Sequence, residues 1–106
     1  MVKRGEVWLV ALDPTVGTEI QKTRPCLIVS PPEMHDHLRA VIVAPMTTGS
    51  RPAGVRVPLT FKGQDGLILL DQIRTVDKRR LVKCLGAVAD PVLTATLDTL
   101  RAMFQP

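Results

Sequence analysis

Two residues of opposite charge, Glu19 and Arg24, stand five positions apart in the stretch GTEIQKTRP, residues 17 to 25. A carboxylate and a guanidinium, joined by a hydroxyl, can divide the work of breaking an RNA phosphodiester without a metal. A base takes the proton of the 2′-OH, which attacks the adjacent phosphorus. A cation stabilises the charge growing on the phosphoryl oxygens, and an acid protonates the departing 5′-oxygen. Gly17 permits a backbone conformation closed to other residues, and Pro25 helps fix where the next strand begins. Spacing alone fits an ordinary charged turn better, because a surface ion pair of this kind is common and contributes little.

The elements that must position this loop are legible around it. Val7 to Leu12 is a short apolar run ending at Asp13-Pro14 and predicts a first strand. Residues 13 to 23 predict a loop, and Arg24 to Ser30 a second strand closed by Pro31-Pro32. PPEMHDHLR is a polar connection with room for a helical turn. Ala40 to Thr47 predicts a third strand whose far end bends or lies at an edge because of Pro45. Val55 to Thr60 alternates, with Arg56 and Pro58 outward. Leu67 to Val76 predicts the longest strand, and Leu81 to Val88 the last, with a short turn at Asp77 to Arg80 between them. Asp90 as cap and Pro91 as first residue start a helix, on which Leu93, Leu97, Leu100 and Phe104 form the apolar face. Five or six short strands and one terminal helix predict an α+β, mostly β fold: one domain over residues 1–106, a small twisted barrel with the helix packed against it.

The chain of 106 residues carries 14 Lys and Arg against 10 Asp and Glu, a net charge of +4. Arg74, Lys78, Arg79, Arg80 and Lys83 lie within ten residues, a clustering that suits a polyanionic partner or simply a solvated turn. No apolar run reaches the length of a membrane helix and no secretory signal is visible, so a soluble, cytoplasmic protein is expected. Cys26 and Cys84 both sit in apolar runs and read as buried, reduced thiols with no metal-ligand neighbour. His35 and His37 read as surface loop residues. Trp8, Phe61 and Phe104 are the only aromatics, too few for base stacking to contribute much, and Trp8 reads as core or dimer interface.

Four segments, KRGEVWLVALDPTVGTE, RPCLIVSP, VIVAPMTT and LLDQIRTVDKRRL, occur in the order and spacing of the MazF/PemK toxins of bacterial toxin–antitoxin pairs, and the chain resembles that family over nearly its whole length. The resemblance implies an SH3-like barrel of the CcdB/PemK type that forms a homodimer. It also implies a metal-independent, cofactor-free endoribonuclease that cuts single-stranded RNA at short motifs, leaving 2′,3′-cyclic phosphate and 5′-hydroxyl ends. It assigns catalysis to Glu19, Arg24 and Thr47. Arg24 would be acid and phosphate stabiliser, Glu19 would be the base or would position the 2′-OH, and Thr47 would bond the scissile phosphate. Thr18, Gln21, Thr48, Asp71, Gln72 and Arg74 form the expected RNA-binding set, with Asp71 equally suited to a structural role. Gln21, Thr48 to Arg51 and Gln64 would select bases, and Arg74 would share a face with Gln72 by strand alternation.

An antitoxin with an extended acidic tail across the RNA groove is the implied partner. The sequence departs from the family pattern at Ile20, where many members have Gln, and at Lys22, where they have Gly. One branch uses His at the position of Thr18 and an Arg-x-Asp pair where this chain has Leu69 and Asp71, so that branch's acid–base assignment does not transfer intact. Two other readings remain at this point. One is a CcdB-like toxin that poisons gyrase without catalysis, since fold alone does not fix function. The other is an inactive member that binds RNA or titrates antitoxin.

Overall fold

The computed structural model describes all residues, 1–106. Seven strands and two helices follow one another as β1 (Glu6–Ala11), β2 (Thr23–Ile28), α1 (Pro32–His37), β3 (Ala40–Thr47), β4 (Arg56–Phe61), β5 (Gln64–Leu69), β6 (Arg74–Asp77), β7 (Leu81–Ala87) and α2 (Asp90–Met103). The strands form one antiparallel sheet ordered β4-β5-β3-β2-β1-β7, with β6 also pairing β3. It curls into a half-barrel. Its two ends meet where Phe61 of β4 approaches Gly86 of β7: a Cβ on Gly86 would lie 3.6 Å from the Phe61 ring tip.

β3 organises the sheet. One edge pairs β2, with Ile28, Leu27 and Cys26 opposite Val43, Ala44 and Pro45. The other edge pairs β6 along Ala40–Val43 and β5 along Met46–Thr47. From Met46↔Ile68 to Val43↔Arg74 is three steps along β3 but six along its partner. The surplus is taken up by a 3₁₀ turn at Leu70–Gln72. Pro45, lying in that gap, has no amide to give to a ladder, so the interruption falls there. The single long strand expected over Leu67 to Val76 is therefore two strands and a turn, and the turn pushes Asp71 and Gln72 out of the sheet.

Strands β1, β2 and β3 send side chains into a core on each face, which is why they read as continuous apolar runs. Val7, Leu27, Ala44, Met46, Val57, Leu59, Ile68 and Leu70 build the larger core; Val10, Cys26, Ile28, Val41, Val43 and Val76 build the other. Alternation along β3 splits Val41 and Val43 from Ala44 and Met46. Helix α2 covers the larger core, but with a face turned from the expected one. Thr96 is fully buried, and Val92, Leu100 and Met103 pack beside it, whereas Phe104 is 72% exposed. Thr96 returns its hydroxyl to the Val92 carbonyl at 2.8 Å, so it packs as an apolar residue. The residue preceding the helix is Ala89, and Asp90 lies in the first turn without capping it.

Two further expectations, the surface position of His35 and the burial of Cys84, are corrected. His35 is buried, with Nε2 2.6 Å from the Ser30 hydroxyl and Nδ1 3.1 Å from the Val2 carbonyl. The Val2 carbonyl can only accept, so His35 carries a proton on Nδ1, and the Nε2 of the neutral ring accepts from the Ser30 hydroxyl, which itself accepts the Ile42 amide. Cys26 is fully buried and burial pushes its thiol up to about 12, whereas Cys84 is exposed on β7. Trp8 is half-buried against the smaller core, its indole N–H on Glu6.

Lys22 closes the loop before β2 with a left-handed φ of 69° while its carbonyl accepts the Leu12 amide at 2.9 Å. That conformation costs a side-chain-bearing residue roughly 1–2 kcal/mol, and glycine's greater unfolded-state entropy offsets part of it. Lys22→Gly is accordingly expected to stabilise the protein by about 0.5–1 kcal/mol, read as a higher urea midpoint.

Candidate active site

The loop between β1 and β2 is fixed at both ends and in the middle. Arg74 Nη1 donates to the Leu12 carbonyl at 3.0 Å, and Arg80 Nη1 to the carbonyls of Ala11 at 3.0 Å and Asp13 at 2.5 Å. These guanidiniums gather the carbonyls at the end of β1, so much of the basic cluster holds the loop's base in place. Arg79 instead pairs with Asp77, whose carboxyl is held below the ordinary range chiefly by the Arg79 amide. Ile20 packs its side chain against the smaller core and anchors the loop's middle. Gly17 takes φ 63°, the conformation its type allows.

Gln72 completes the fixation. Its Oε1 accepts the Ile20 amide at 2.7 Å and its Nε2 donates to the Thr18 carbonyl at 3.3 Å, gripping the peptide groups on either side of Glu19. The expected RNA-binding amide is thus spent on the loop. Its place opposite the loop comes from the 3₁₀ turn, and no local spacing announces it. Gln72→Ala is expected to lower RNA cutting about tenfold, as a small misplacement of a reacting group does. Thermal unfolding of the variant, followed alongside, should shift little, since only an exposed loop loses contacts.

Asp71 takes the structural alternative. Its carboxylate receives Arg56 Nε at 3.2 Å and Arg56 Nη2 at 3.0 Å, tying β4 to the 3₁₀ turn, while Arg56 Nη1 holds the Arg51 carbonyl. Hydrogen bonding from Arg56 lowers the Asp71 pKa. Because the folded-state value lies below the unfolded one, the pair stabilises the fold above roughly pH 4 and that contribution is lost as acid protonates the carboxyl. The gap in urea midpoint between the native chain and Asp71→Asn should therefore narrow progressively as the pH falls below about 4.

Eight of the nine expected site residues divide between two clefts. Thr18, Glu19, Asp71, Gln72 and Arg74 line one of about 280 Å³, floored by Pro45. Arg24, Thr47 and Thr48 line the other, of about 270 Å³, with Phe61, Gln64 and Asp65. Gln21 lines neither, though its carbonyl accepts Arg24 Nε at 3.3 Å. The end of β3 separates the clefts, Pro45 facing one and Met46–Thr48 the other. The register that sets Cys26 opposite Pro45 also points the start of β2 at the end of β3, which brings Arg24 and Thr47 together.

Arg24 makes that one bond and is exposed, so both terminal guanidinium nitrogens are free for an anion. Thr47 Oγ1 accepts the Gly49 amide at 3.2 Å and keeps its proton to give. Glu19 Oε1 accepts the Val16 amide at 2.5 Å, leaving Oε2 without a partner in its own cleft. Glu19 and Arg24 therefore make no ion pair, and the charged-turn description drawn from spacing does not apply. Leu69 is fully buried, so nothing in the site stands where the other branch places its strand arginine. Asp65, in the cleft of Arg24 and Thr47, was not singled out from the sequence; a lone acidic residue after Gly63-Gln64 reads only as turn composition.

Residues 3–104 match the model of a family described as the PemK-like, MazF-like toxin of type II toxin–antitoxin systems. Endoribonuclease PemK of Escherichia coli is 42% identical over 108 residues, covering 96% of this chain and 81% of PemK. Among solved structures, MazF from Deinococcus radiodurans superposes with a TM-score of 0.85 at 24% identity, covering 96% of this chain and 94% of that one, a likeness of fold. An endoribonuclease solved in complex with its cognate antitoxin, from mycobacterial species, superposes at 0.83 with 25% identity, covering 100% of this chain and 98% of the other.

Proposed function

This chain belongs to the PemK-like, MazF-like toxin family of type II toxin–antitoxin systems, and from that premise we propose that it is a toxin endoribonuclease cutting single-stranded RNA by attack of the 2′-OH. The supporting observation is the cleft in which Arg24 offers two unpartnered guanidinium nitrogens beside the Thr47 hydroxyl. A phosphodiester bridging that cleft and its neighbour sits between a clamp for phosphoryl oxygens and the Glu19 carboxylate. Glu19 takes the 2′-OH proton, the O2′–P bond forms, and the P–O5′ bond breaks as Arg24 passes a proton to the leaving oxygen. The products are a 2′,3′-cyclic phosphate and a 5′-hydroxyl, with no group needed beyond these side chains. Thr47 bonds the phosphate throughout. The site acts in a cytoplasmic homodimer, and an antitoxin with an extended acidic segment blocks it by laying a carboxylate on the free guanidinium of Arg24.

Purified protein incubated with single-stranded RNA in EDTA tests the proposal. Fragments with 5′-hydroxyl and cyclic-phosphate ends are expected; intact RNA, or DNA breaks that depend on gyrase, would contradict it. The gyrase reading is not favoured, since PemK is named an endoribonuclease.

A further inference from the structure

Most of the Arg24–Thr47 cleft is not explained by binding a phosphate. Its far wall is the hairpin joining β4 to β5, which contributes Phe61, Gln64, Asp65 and Gly66. We propose that this wall is a base pocket: it receives the nucleobase next to the cut phosphate and selects one bearing an exocyclic amine, with Asp65, which shares its face of the sheet with Thr47, as the acceptor. The inference rests on the RNA-cutting reading and adds to it the means of choosing a sequence.

Asp65 carries most of the case. A carboxylate is an unfavourable neighbour for a polyanion unless it accepts a hydrogen bond from the bound molecule. Here it neutralises nothing: no salt bridge links it to Arg24 or to any other cation. Its only side-chain bond comes from the Thr60 hydroxyl, 2.5 Å from Oδ1, across the register pair Thr60↔Asp65. That bond fixes the carboxyl's orientation and leaves Oδ2 free. An acceptor so held suits the amine of adenine, cytosine or guanine. It opposes uracil, whose Watson–Crick edge sets carbonyl oxygens on either side of a single N–H.

The surroundings fit a base ring. Met46, Leu59 and Phe61 supply the apolar part of the lining, while Gln64 is exposed at the rim with both donor and acceptor available. The Lys62 ammonium lies 5.9 Å from the Phe61 ring centre. Gly66 keeps the hairpin tight against the catalytic strand, because a Cβ there would stand 2.9 Å from the Thr47 carbonyl oxygen. The pocket is consequently tied to the phosphate-binding group through backbone contact. At about 270 Å³ the cleft is at the small end of ligand sites and suits a single nucleoside.

Mapping 5′-hydroxyl ends from a randomised single-stranded RNA, with the native protein, Asp65→Asn and Gln64→Ala, tests this. The native protein should exclude uracil at one position beside the cut. Asp65→Asn, which can offer a donor as well as an acceptor, should raise cutting of uracil-containing sites about tenfold relative to the others, with the other motif positions unchanged. Gln64→Ala should leave the motif unchanged, because alternation turns Gln64 to the opposite face of β5. An unchanged motif in Asp65→Asn overturns the inference. So does a uniform loss of cutting at every site with an altered pH–rate profile, which would make Asp65 a catalytic group. A native protein that cuts no RNA at all would instead remove the reading on which the inference stands.

Discussion

Arg24→Ala is expected to slow RNA cutting about 100- to 1000-fold while leaving the melting transition in place. The size follows from removing the main donor aimed at charge that develops in the transition state. The survival of the fold follows from the residue's position. Arg24 is exposed at the start of β2, and its one bond, to the Gln21 carbonyl, is long at 3.3 Å. Arg24→Lys should recover only a small part of the rate, because an ammonium is a point charge and cannot fork onto two phosphoryl oxygens. Single-turnover cutting and thermal unfolding, measured side by side, check both halves. A variant that unfolds would show that the bond to Gln21 matters more than its length suggests; one that cuts normally would remove Arg24 from the chemistry.

Glu19→Gln is expected to cost about 100-fold or more, the usual contribution of a positioned base. Glutamine keeps an oxygen able to accept the Val16 amide, so the loop can hold its shape between the two bonds from Gln72. The loss then reports the charge and not the geometry. Glu19→Gln with full activity would move the base elsewhere, and Asp65 is the carboxylate that shares a cleft with Arg24.

What the sequence could and could not tell is visible in these residues. β3 runs from Ala40 to Thr47 as its composition requires, and the strands on either side of the loop fall within two residues of their expected limits. Apolar runs bounded by Pro and Gly carry that information locally. The break at Leu70–Gln72 was not legible, because it arises from a mismatch of register with β3 at Pro45, far away in sequence. The role of Gln72 follows from that break and was hidden with it. Thr96 was passed over in favour of Phe104 because periodicity counts a threonine as polar, whereas its hydroxyl is satisfied within the helix. His35 was taken for a loop residue because its partners, Ser30 and the Val2 carbonyl, are brought to it only by folding.

At the site, residue types and family resemblance pointed to Arg24, Thr47 and Glu19 as candidates, but not to their division between two clefts. Proximity in sequence made Glu19 and Arg24 look like one constellation. The structure instead joins Arg24 to Thr47 across β2 and β3, and leaves Glu19 to reach the substrate from the other side of the β3 end. The account therefore requires an RNA chain that bridges both clefts with its 2′-OH toward Glu19.

The most direct test of that requirement is a short RNA containing one cut site, compared with the same strand carrying a single 2′-deoxy nucleotide immediately 5′ of the scissile phosphate. The deoxy strand should bind with similar affinity and remain uncut, because the attacking oxygen is gone. Cutting of the deoxy strand at that phosphate would contradict attack by the 2′-OH.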